Sequence, residues 1–293
     1  MSRGSVQPGQ DQLSPRKRKL LQMLLAERRK RRAQPSAASR PISVPYSPWL
    51  SCPQPRREAA VRLICLPHAG GGASIFHRWH TQLPAHIEVC AVNLPGREAR
   101  LREPPLTTMS ALVSELRAGL LPLLDERPFA LFGHSMGALV SFELTLALRR
   151  HGAPMPTHLF LASYAAPHMH DHEVDWPTVE SMLTVETLSQ RLHCDRATAA
   201  ELLQVTRPAI EADVALCSDY RHVPEAPLSC PITAFRGDTD FVDEAHLVGW
   251  RAQTTGAFQA HVEPGDHYSM LHRQKEICAT VANALSATVR RDL

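Results

Sequence analysis

Long apolar runs are missing from this sequence. It has no stretch of about 18 consecutive apolar residues, so it predicts no transmembrane helix. The apolar segment at residues 20–26 is too short, and too closely flanked by charge, to be the core of a secretory signal peptide. These absences argue against a membrane protein.

Paired cysteine motifs are also missing. The seven cysteines include no C-x-x-C pair, and their number is odd. Cys65 and Cys90 fall inside apolar segments predicted to be buried strands, where cysteine behaves as a small hydrophobic residue. This usage predicts a reducing, cytoplasmic compartment.

Charge is present but unevenly distributed. Residues 1–60 hold 13 Lys or Arg and 3 Asp or Glu, whereas the rest of the chain holds 19 and 26. A basic arm therefore precedes a mildly acidic body. The basic run at residues 28–32 contains no aromatic residue, and no nucleic-acid-binding motif accompanies it, so nucleic acid is not the expected partner.

The arm, residues 1–57, is predicted to contain one helix and a linker. Residues 15–32 have helical composition, with leucines spaced along one face, and Ser14 suits the N-cap position. Residues 33–57 hold six prolines, which predicts an extended linker. The apolar stripe favours docking of residues 13–32 onto another protein. A merely solvated helix is the alternative.

Strands and helices are predicted to alternate in the body, residues 58–293. Apolar segments bounded by turn residues predict strands at residues 61–66, 87–92, 129–132, 158–162, 231–236 and 259–263. Helical patterns lie between them, as at residues 109–124, and a last one spans residues 274–289. The alternation predicts an α/β fold with a mostly parallel sheet and helices on both faces. Residues 170–225 show helical patterns at 176–183, 185–192 and 197–220 and no clear strand, which predicts a helical lid.

The most informative motif is Gly-His-Ser-Met-Gly at residues 133–137. It stands between a predicted strand and the helical pattern at residues 138–149. A serine on such a sharp turn projects its hydroxyl out of the sheet, and the crowded flanking positions require glycine. The context predicts that Ser135 is a nucleophile. An inert serine on a glycine-flanked turn is the alternative.

A serine nucleophile needs a base, and the base needs an orienting acid, in the chain order Ser, acid, His. The strand at 231–236 runs into Gly-Asp-Thr-Asp-Phe, where we expect Asp240 to be the acid and Asp238 to be the alternative. The strand at 259–263 runs into Pro-Gly-Asp-His-Tyr, which predicts His267 as the general base. Both segments follow strand ends, where the active sites of parallel sheets gather.

An oxyanion hole needs two backbone N–H groups. Met136 follows the nucleophile at the start of a helix, where free N–H groups and the helix dipole favour negative charge. The second donor is expected in Pro-His-Ala-Gly-Gly-Gly at residues 67–72, which follows the first predicted strand and resembles the glycine-rich loop of esterases. Ala69 is the expected donor.

Two other patterns carry less weight. His-Met-His-Asp-His at residues 168–172 has metal-like spacing, but no second cluster accompanies it. The glycines at residues 70–72 are not followed by Gly-Lys-Ser/Thr, so they do not predict a phosphate-binding loop. We expect neither a metal nor a cofactor.

Together these segments carry a family resemblance. Residues 61–290 resemble the type II thioesterases of polyketide and nonribosomal peptide synthases, which have the α/β-hydrolase fold. The resemblance rests on Leu-Pro-His-Ala-Gly-Gly at 66–71, Leu-Pro-Gly-Arg-Glu at 94–98, Glu-Pro-Pro at 103–105, Phe-Gly-His-Ser-Met-Gly-Ala at 132–138, Gly-Asp-Thr-Asp at 237–240 and Pro-Gly-Asp-His-Tyr at 264–268. It implies a triad of Ser135, Asp240 and His267, with Met136 and Ala69 as oxyanion donors and a lid over a hydrophobic chamber.

The resemblance also implies a reaction and a partner. The substrate would be an acyl or aminoacyl thioester on the phosphopantetheine arm of a carrier protein, and the task would be removal of stalled or wrong acyl groups. A product-releasing or cyclising thioesterase is an alternative, although residues 1–57 are too few for a fused carrier domain. A lipase or other ester hydrolase and a non-catalytic recruitment protein acting through the arm are further alternatives, which the Pro-Gly-Arg-Glu segment and the intact triad respectively disfavour.

Two segments depart from the family pattern. Ser-Tyr-Ala-Ala-Pro at residues 163–167 stands where the family often has a Gly-Arg pair after the Ser. Residues 1–57 are absent from typical stand-alone members. Residues 13–21 look like the short helical N-terminal segments of modular synthase subunits, which implies docking to a megasynthase.

Overall fold

The computed structural model describes residues 47–124, 127–169, 184–186, 189 and 194–289. Within these ranges seven strands form one sheet: β1 (Leu50–Ser51), β2 (Val61–Leu66), β3 (Ile87–Val92), β4 (Phe129–His134), β5 (Leu159–Ala162), β6 (Ile232–Gly237) and β7 (Phe258–Glu263). The main helices are α1 (Met109–Leu124), α2 (Met136–Arg150), α3 (Arg196–Ser218), α4 (Glu244–Val248), α5 (Ser269–His272) and α6 (Gln274–Val289).

The sheet is parallel except at one edge. The strand order is β1-β3-β2-β4-β5-β6-β7, and β1 alone among these strands runs antiparallel to its neighbour. The predicted α/β fold is therefore confirmed, and the six predicted strands lie within two residues of their expected bounds. Because parallel strands end at the same edge, the loops after β2, β4, β6 and β7 share that edge.

The sheet separates two apolar cores. In β2, Ile64 and Leu66 face a core shared with α1 and α2, whereas Leu63 and Cys65 face a core shared with α6. Side chains of a strand alternate between faces, and all six residues of β2 are buried, which fits a sheet that is covered on both sides. Burying each large aliphatic side chain contributes roughly 1.5–3 kcal/mol to folding.

The edge strand β1 lies where the sequence predicted a linker. Leu50 pairs with Val92 of β3, and Cys52 forms a disulfide with Cys90. The linker prediction is wrong for this part of the arm, because β3 offers an unpaired edge that the segment completes. The interpretation of Cys90 as an unpaired hydrophobic residue is also wrong. The other five cysteines are free.

Helix α3 occupies part of the segment predicted to be a lid. It matches the last helical pattern there, and its N-cap is Asp195, whose carboxylate accepts from the Thr198 N–H. The helical patterns predicted before it, at residues 176–183 and 185–192, lie largely outside the described residues. So do the predicted arm helix at 15–32 and the linker up to residue 46. None of the described helices is both long enough and apolar enough for a membrane span.

Candidate active site

Ser135 stands at the turn between β4 and α2 with an unusual backbone conformation. Its φ is 53° and its ψ is −121°, a region that non-glycine residues rarely adopt and that marks functional sites. A Cβ on Gly133 would overlap the carbonyl of Gly137, and a Cβ on Gly137 would overlap the carbonyl of Leu66. Both glycines are thus required by close backbone approach, as the motif predicted.

A hydrogen-bonded chain links the three predicted side chains. The Nε2 atom of His267 lies 2.9 Å from Ser135 Oγ, and its Nδ1 lies 2.9 Å from Asp240 Oδ1. The serine follows β4, the aspartate follows β6 and the histidine follows β7. His267 is 8% exposed and Asp240 is 9% exposed. These contacts fit an imidazole with its proton on Nδ1, so that Nε2 accepts from the serine hydroxyl.

The alternative acid, Asp238, has a different contact. Its Oδ1 accepts from the N–H of Gly265, 2.8 Å away, and the adjacent Thr239 N–H donates to the carbonyl of Gly265. Gly265 opens the loop that carries His267, with φ of +122°. The structure therefore brings Asp240 to the imidazole and leaves Asp238 holding the histidine loop.

Asp240 is arranged to stay ionised. Burial alone would raise the pKa of its carboxyl group. The hydrogen bond and charge of His267, the neighbouring Ser163 hydroxyl and the Val242 N–H outweigh burial and lower that pKa below its ordinary value. Among the described residues, no hydrogen bond of normal geometry reaches Asp240 Oδ2. An ionised Asp240 can stabilise an imidazolium at His267.

Two backbone amides are available for an oxyanion. Met136 is the first residue of α2, so its N–H has no partner within the helix. Ala69 lies in the loop after β2. Within the described residues, neither the Met136 nor the Ala69 N–H donates to a protein acceptor. The Ser135 N–H, in contrast, donates to the carbonyl of Ala162, 2.7 Å away.

His134 was missed as a functional residue by the sequence analysis. It is fully buried, and its Nε2 lies 2.9 Å from the backbone carbonyl of His267. Burial, followed by the charges of His68 and His267, holds its pKa well below the ordinary value, so the ring is neutral and can donate from Nε2. His134 thereby ties the nucleophile strand to the histidine loop. The polar residue inside an otherwise apolar strand was the available signal.

Two other features lie outside this constellation. A cavity of about 500 Å³ lies between α1, α2 and the end of α3, lined in part by Arg117, Glu143 and Arg150. Ser135, Asp240 and His267 do not line it. Of the histidine-rich loop at residues 168–172, only its first two residues are described. Among the described residues no group of three or more His, Cys, Asp or Glu is arranged to hold a metal.

The strand–serine–helix turn, with an acid and a histidine after later strands of a parallel sheet, defines the α/β-hydrolase class. Residues 61–285 match the family model described as "Thioesterase domain". The chain belongs to this thioesterase family, as the sequence resemblance indicated.

Known relatives and solved structures agree with this assignment. The chain is 39% identical over 249 residues to linear gramicidin dehydrogenase LgrE of Brevibacillus parabrevis, which covers 82% of this chain and 94% of that protein. RedJ, a thioesterase of the prodiginine pathway in Streptomyces coelicolor, shares 33% identity with a TM-score of 0.69, over 89% of this chain and 94% of RedJ. The type II thioesterase BorB of the borrelidin cluster shares 32% identity with a TM-score of 0.68, over 80% and 95%. Type II thioesterases are thus among its relatives. The word dehydrogenase belongs to the name of LgrE, whereas the family that this chain matches is a thioesterase family.

Proposed function

We propose that this protein is a serine thioesterase that hydrolyses acyl or aminoacyl thioesters from the phosphopantetheine arm of a carrier protein. Its task would be to clear stalled or wrongly primed polyketide or nonribosomal peptide synthases. The observation that carries the proposal is the hydrogen-bonded chain from Ser135 through His267 to Asp240. The reaction needs no metal or protein-bound cofactor.

The chemistry runs in two halves. Ser135 Oγ attacks the thioester carbonyl as His267 Nε2 takes the hydroxyl proton, and Asp240 stabilises the resulting imidazolium. The N–H groups of Met136 and Ala69 stabilise the oxyanion of the tetrahedral intermediate. The carbon–sulfur bond then breaks, and the proton held by His267 goes to the departing thiolate. In the second half His267 takes a proton from a water molecule, whose oxygen attacks the acyl-serine carbonyl to form a second tetrahedral intermediate. The ester bond to Ser135 Oγ then breaks, His267 returns the proton to that oxygen, and the acid is released with the free serine restored.

A thioester suits this site because a thiolate is a good leaving group. A thiol has a pKa of about 8.5, so it can leave as a thiolate, whereas an amine must be protonated before it leaves because its anion is far more basic. Protonation of the leaving atom therefore matters less than in amide hydrolysis. Stabilisation of the oxyanion then carries a larger share of catalysis.

Replacement of the nucleophile tests the proposal. Ser135→Ala is expected to lower kcat on acyl-carrier thioesters by at least about 10³-fold. Ser114→Ala changes an exposed serine of α1 and serves as the matched control. A panel of acyl groups, each on a carrier protein and on a small thiol, measures whether the carrier is the preferred partner. Full activity of Ser135→Ala would end the assignment.

The described part of the chain begins near the active-site edge of the sheet. Because β1 runs antiparallel to β3, following the chain backwards from β1 leads to the carboxyl end of β3. There the Asn93 side-chain amide donates to the carbonyl of Pro48, 3.1 Å away. This is the edge at which the triad lies. We propose that residues 13–32, which the sequence predicts to form a helix with an apolar stripe, dock the enzyme to a synthase.

Full-length variants test the docking role. Leu20→Ser combined with Leu24→Ser removes part of the predicted apolar stripe, and Gln22→Ser changes a neighbouring residue off the stripe. The double variant is expected to lose activity on carriers within intact synthase subunits while keeping activity on small-thiol thioesters. Equal activity of all three proteins on both substrates would contradict docking.

A further inference from the structure

Helix α3 contacts the loop that carries Ala69 through a buried carboxylate. Asp213 is 2% exposed, and its Oδ2 accepts from the N–H of Gly70 at 2.7 Å. Arg97 binds the same carboxylate with both terminal nitrogens, one of them at 2.8 Å from Oδ1. Such bidentate, charge-assisted hydrogen bonds fix orientation as well as distance.

The same helix also packs on Gly70. Ile210 lies one turn before Asp213, and its side chain occupies the space that a Cβ on Gly70 would need. Gly70 also has a φ of +73°, a conformation that favours glycine. Two side chains of α3 therefore fix one residue of the loop, one by packing and one by hydrogen bonding.

Arg97 joins a third segment to this contact. It belongs to the Pro-Gly-Arg-Glu segment, is 7% exposed, and also donates to the carbonyls of Pro95 and Gly71. The guanidinium thus connects the loop after β3, the glycine loop after β2 and helix α3. A buried ion pair is weak evidence for stability by itself, but it can specify one geometry.

The contacts hold both peptide groups around Ala69. In the peptide group between Ala69 and Gly70, the Gly70 N–H donates to the Asp213 carboxylate, and the Ala69 carbonyl lies 2.9 Å from His68 Nδ1. The preceding peptide group has its carbonyl bound by the Gly71 N–H. Since a peptide group is planar and trans, fixing that carbonyl also fixes the direction of the Ala69 N–H.

We propose that Asp213 is a positioning residue: through Gly70 and Arg97 it holds the Ala69 N–H in the alignment that an oxyanion requires. This inference rests on the proposed function, in which Ala69 is an oxyanion donor. Because Asp213 lies on α3, the proposal also means that α3 must be in place for the transition state to be fully stabilised. Without the carboxylate, the Gly70 N–H loses its acceptor and the loop is held less firmly.

Two substitutions separate positioning from folding. Asp213→Ala removes every acceptor, whereas Asp213→Asn keeps an oxygen for the Gly70 N–H. Asp213→Ala is expected to lower kcat about 10- to 100-fold, somewhat less than outright loss of an oxyanion donor, with KM changed less than about 3-fold. Asp213→Asn is expected to recover part of that loss. Glu211→Gln, which breaks the exposed pair with Arg207 on the same helix, is the control and should leave kcat unchanged.

Affinity for a boronic acid that forms a tetrahedral adduct with serine gives a second readout, measured on full-length proteins whose melting temperatures are also recorded. We expect the affinity to fall with kcat in Asp213→Ala and to recover in Asp213→Asn. Unchanged kcat and adduct affinity in Asp213→Ala, with only a lower melting temperature, would overturn the positioning role. A wild type that binds the boronic acid but hydrolyses no thioester would refute the proposed function alone, and the adduct affinities would still decide the role of Asp213. A wild type that forms no adduct would refute both.

Discussion

The ring of Phe241 stacks on the imidazole of His267, with the ring centroids 4.4 Å apart and the planes inclined by 18°. Phe241 directly follows Asp240, so one turn supplies both the acid for one ring nitrogen and a surface for the ring face. The side chain is 39% exposed, which is high for a large aromatic residue with a purely packing role. We interpret it as a support that limits rotation of the imidazole.

Removal of this support is expected to impair the reaction more than the fold. Phe241→Ala should lower kcat/KM about 3- to 10-fold, since an aromatic stack contributes roughly 0.5–1.5 kcal/mol beyond area burial. Phe241→Tyr retains the stack and should behave as wild type. Val223→Ala, at a residue that is 65% exposed, is the control for loss of a surface apolar group. Steady-state kinetics and thermal melts of the four proteins check this, and a Phe241→Ala enzyme with wild-type kcat/KM would contradict it.

The two aspartates after β6 are expected to respond differently to the same substitution. Asp240→Asn removes the carboxylate that faces His267 Nδ1 and should lower kcat by up to about 10⁴-fold, the size of effect seen when a triad acid is neutralised. Asp238→Asn keeps an oxygen that can accept from the Gly265 N–H, so its kcat should fall less than about 5-fold. Steady-state kcat on the same acyl-carrier thioester measures both. If Asp238→Asn were the more damaged variant, the acid would be assigned wrongly.

The sequence predicts the sheet and the triad because their signals are local. Apolar runs such as residues 61–66 mark buried strands, and each triad residue follows a strand next to a glycine turn. Given the chain order of nucleophile, acid and base, Ser135, Asp240 and His267 could be brought together without coordinates. The choice of Asp240 over Asp238 rested on the turn geometry, and the hydrogen bond to His267 agrees with it.

The rest depends on contacts between distant segments. Asp213 meets Arg97 across 116 residues, and no local motif announces the pair. The sequence did offer one signal for a buried acid: Asp213 lies on the same helix face as the buried residues Ala209, Ile210 and Leu216. The pairing of β1 with β3 was hidden for a similar reason, because a two-residue strand in a proline-rich segment has no periodicity to detect.

Buried histidines are expected to make stability depend on pH. His158 is 8% exposed, stacks on Phe160 and has Nε2 2.8 Å from Thr233 Oγ1. Burial lowers the pKa of His158 to about 4, whereas an unfolded histidine titrates near 6.5. The unfolded chain therefore binds the proton first, so the stabilisation is complete above about pH 6.5 and is lost as pH falls towards about 4. It amounts to roughly 3 kcal/mol.

Denaturant titrations between pH 7.5 and 4 test this linkage. His158→Gln keeps a hydrogen-bonding group but removes the titration. As the pH falls, its unfolding free energy should therefore decrease less steeply than that of the wild type, and the difference in slope should correspond to up to about one bound proton. The buried His134 acts in the same direction and leaves a residual slope in both proteins. Gln82→Ala, at an exposed position, changes no titratable group and is the control, which should keep the wild-type slope. Identical slopes for wild type and His158→Gln would contradict the prediction.

The bond between Cys52 and Cys90 gives a last expectation, and one that bears on the compartment. It closes a sequence separation of 38 residues and ties the residue after β1 to β3. Under oxidising conditions, loss of such a bond costs about 2–4 kcal/mol of unfolding free energy. Cys52→Ser should show that loss, whereas Cys194→Ser, at a free cysteine, should not. With a reductant, wild type and Cys52→Ser should unfold alike.

Alkylation of the unreduced, unfolded protein should label five thiols, and seven labelled thiols would contradict the bond. The cytoplasmic location predicted from cysteine usage stays a prediction. In that compartment a reduced pair would leave β1 held to β3 by the strand pairing, by the hydrogen bond from Asn93 to Pro48 and by the burial of Trp49 and Leu50.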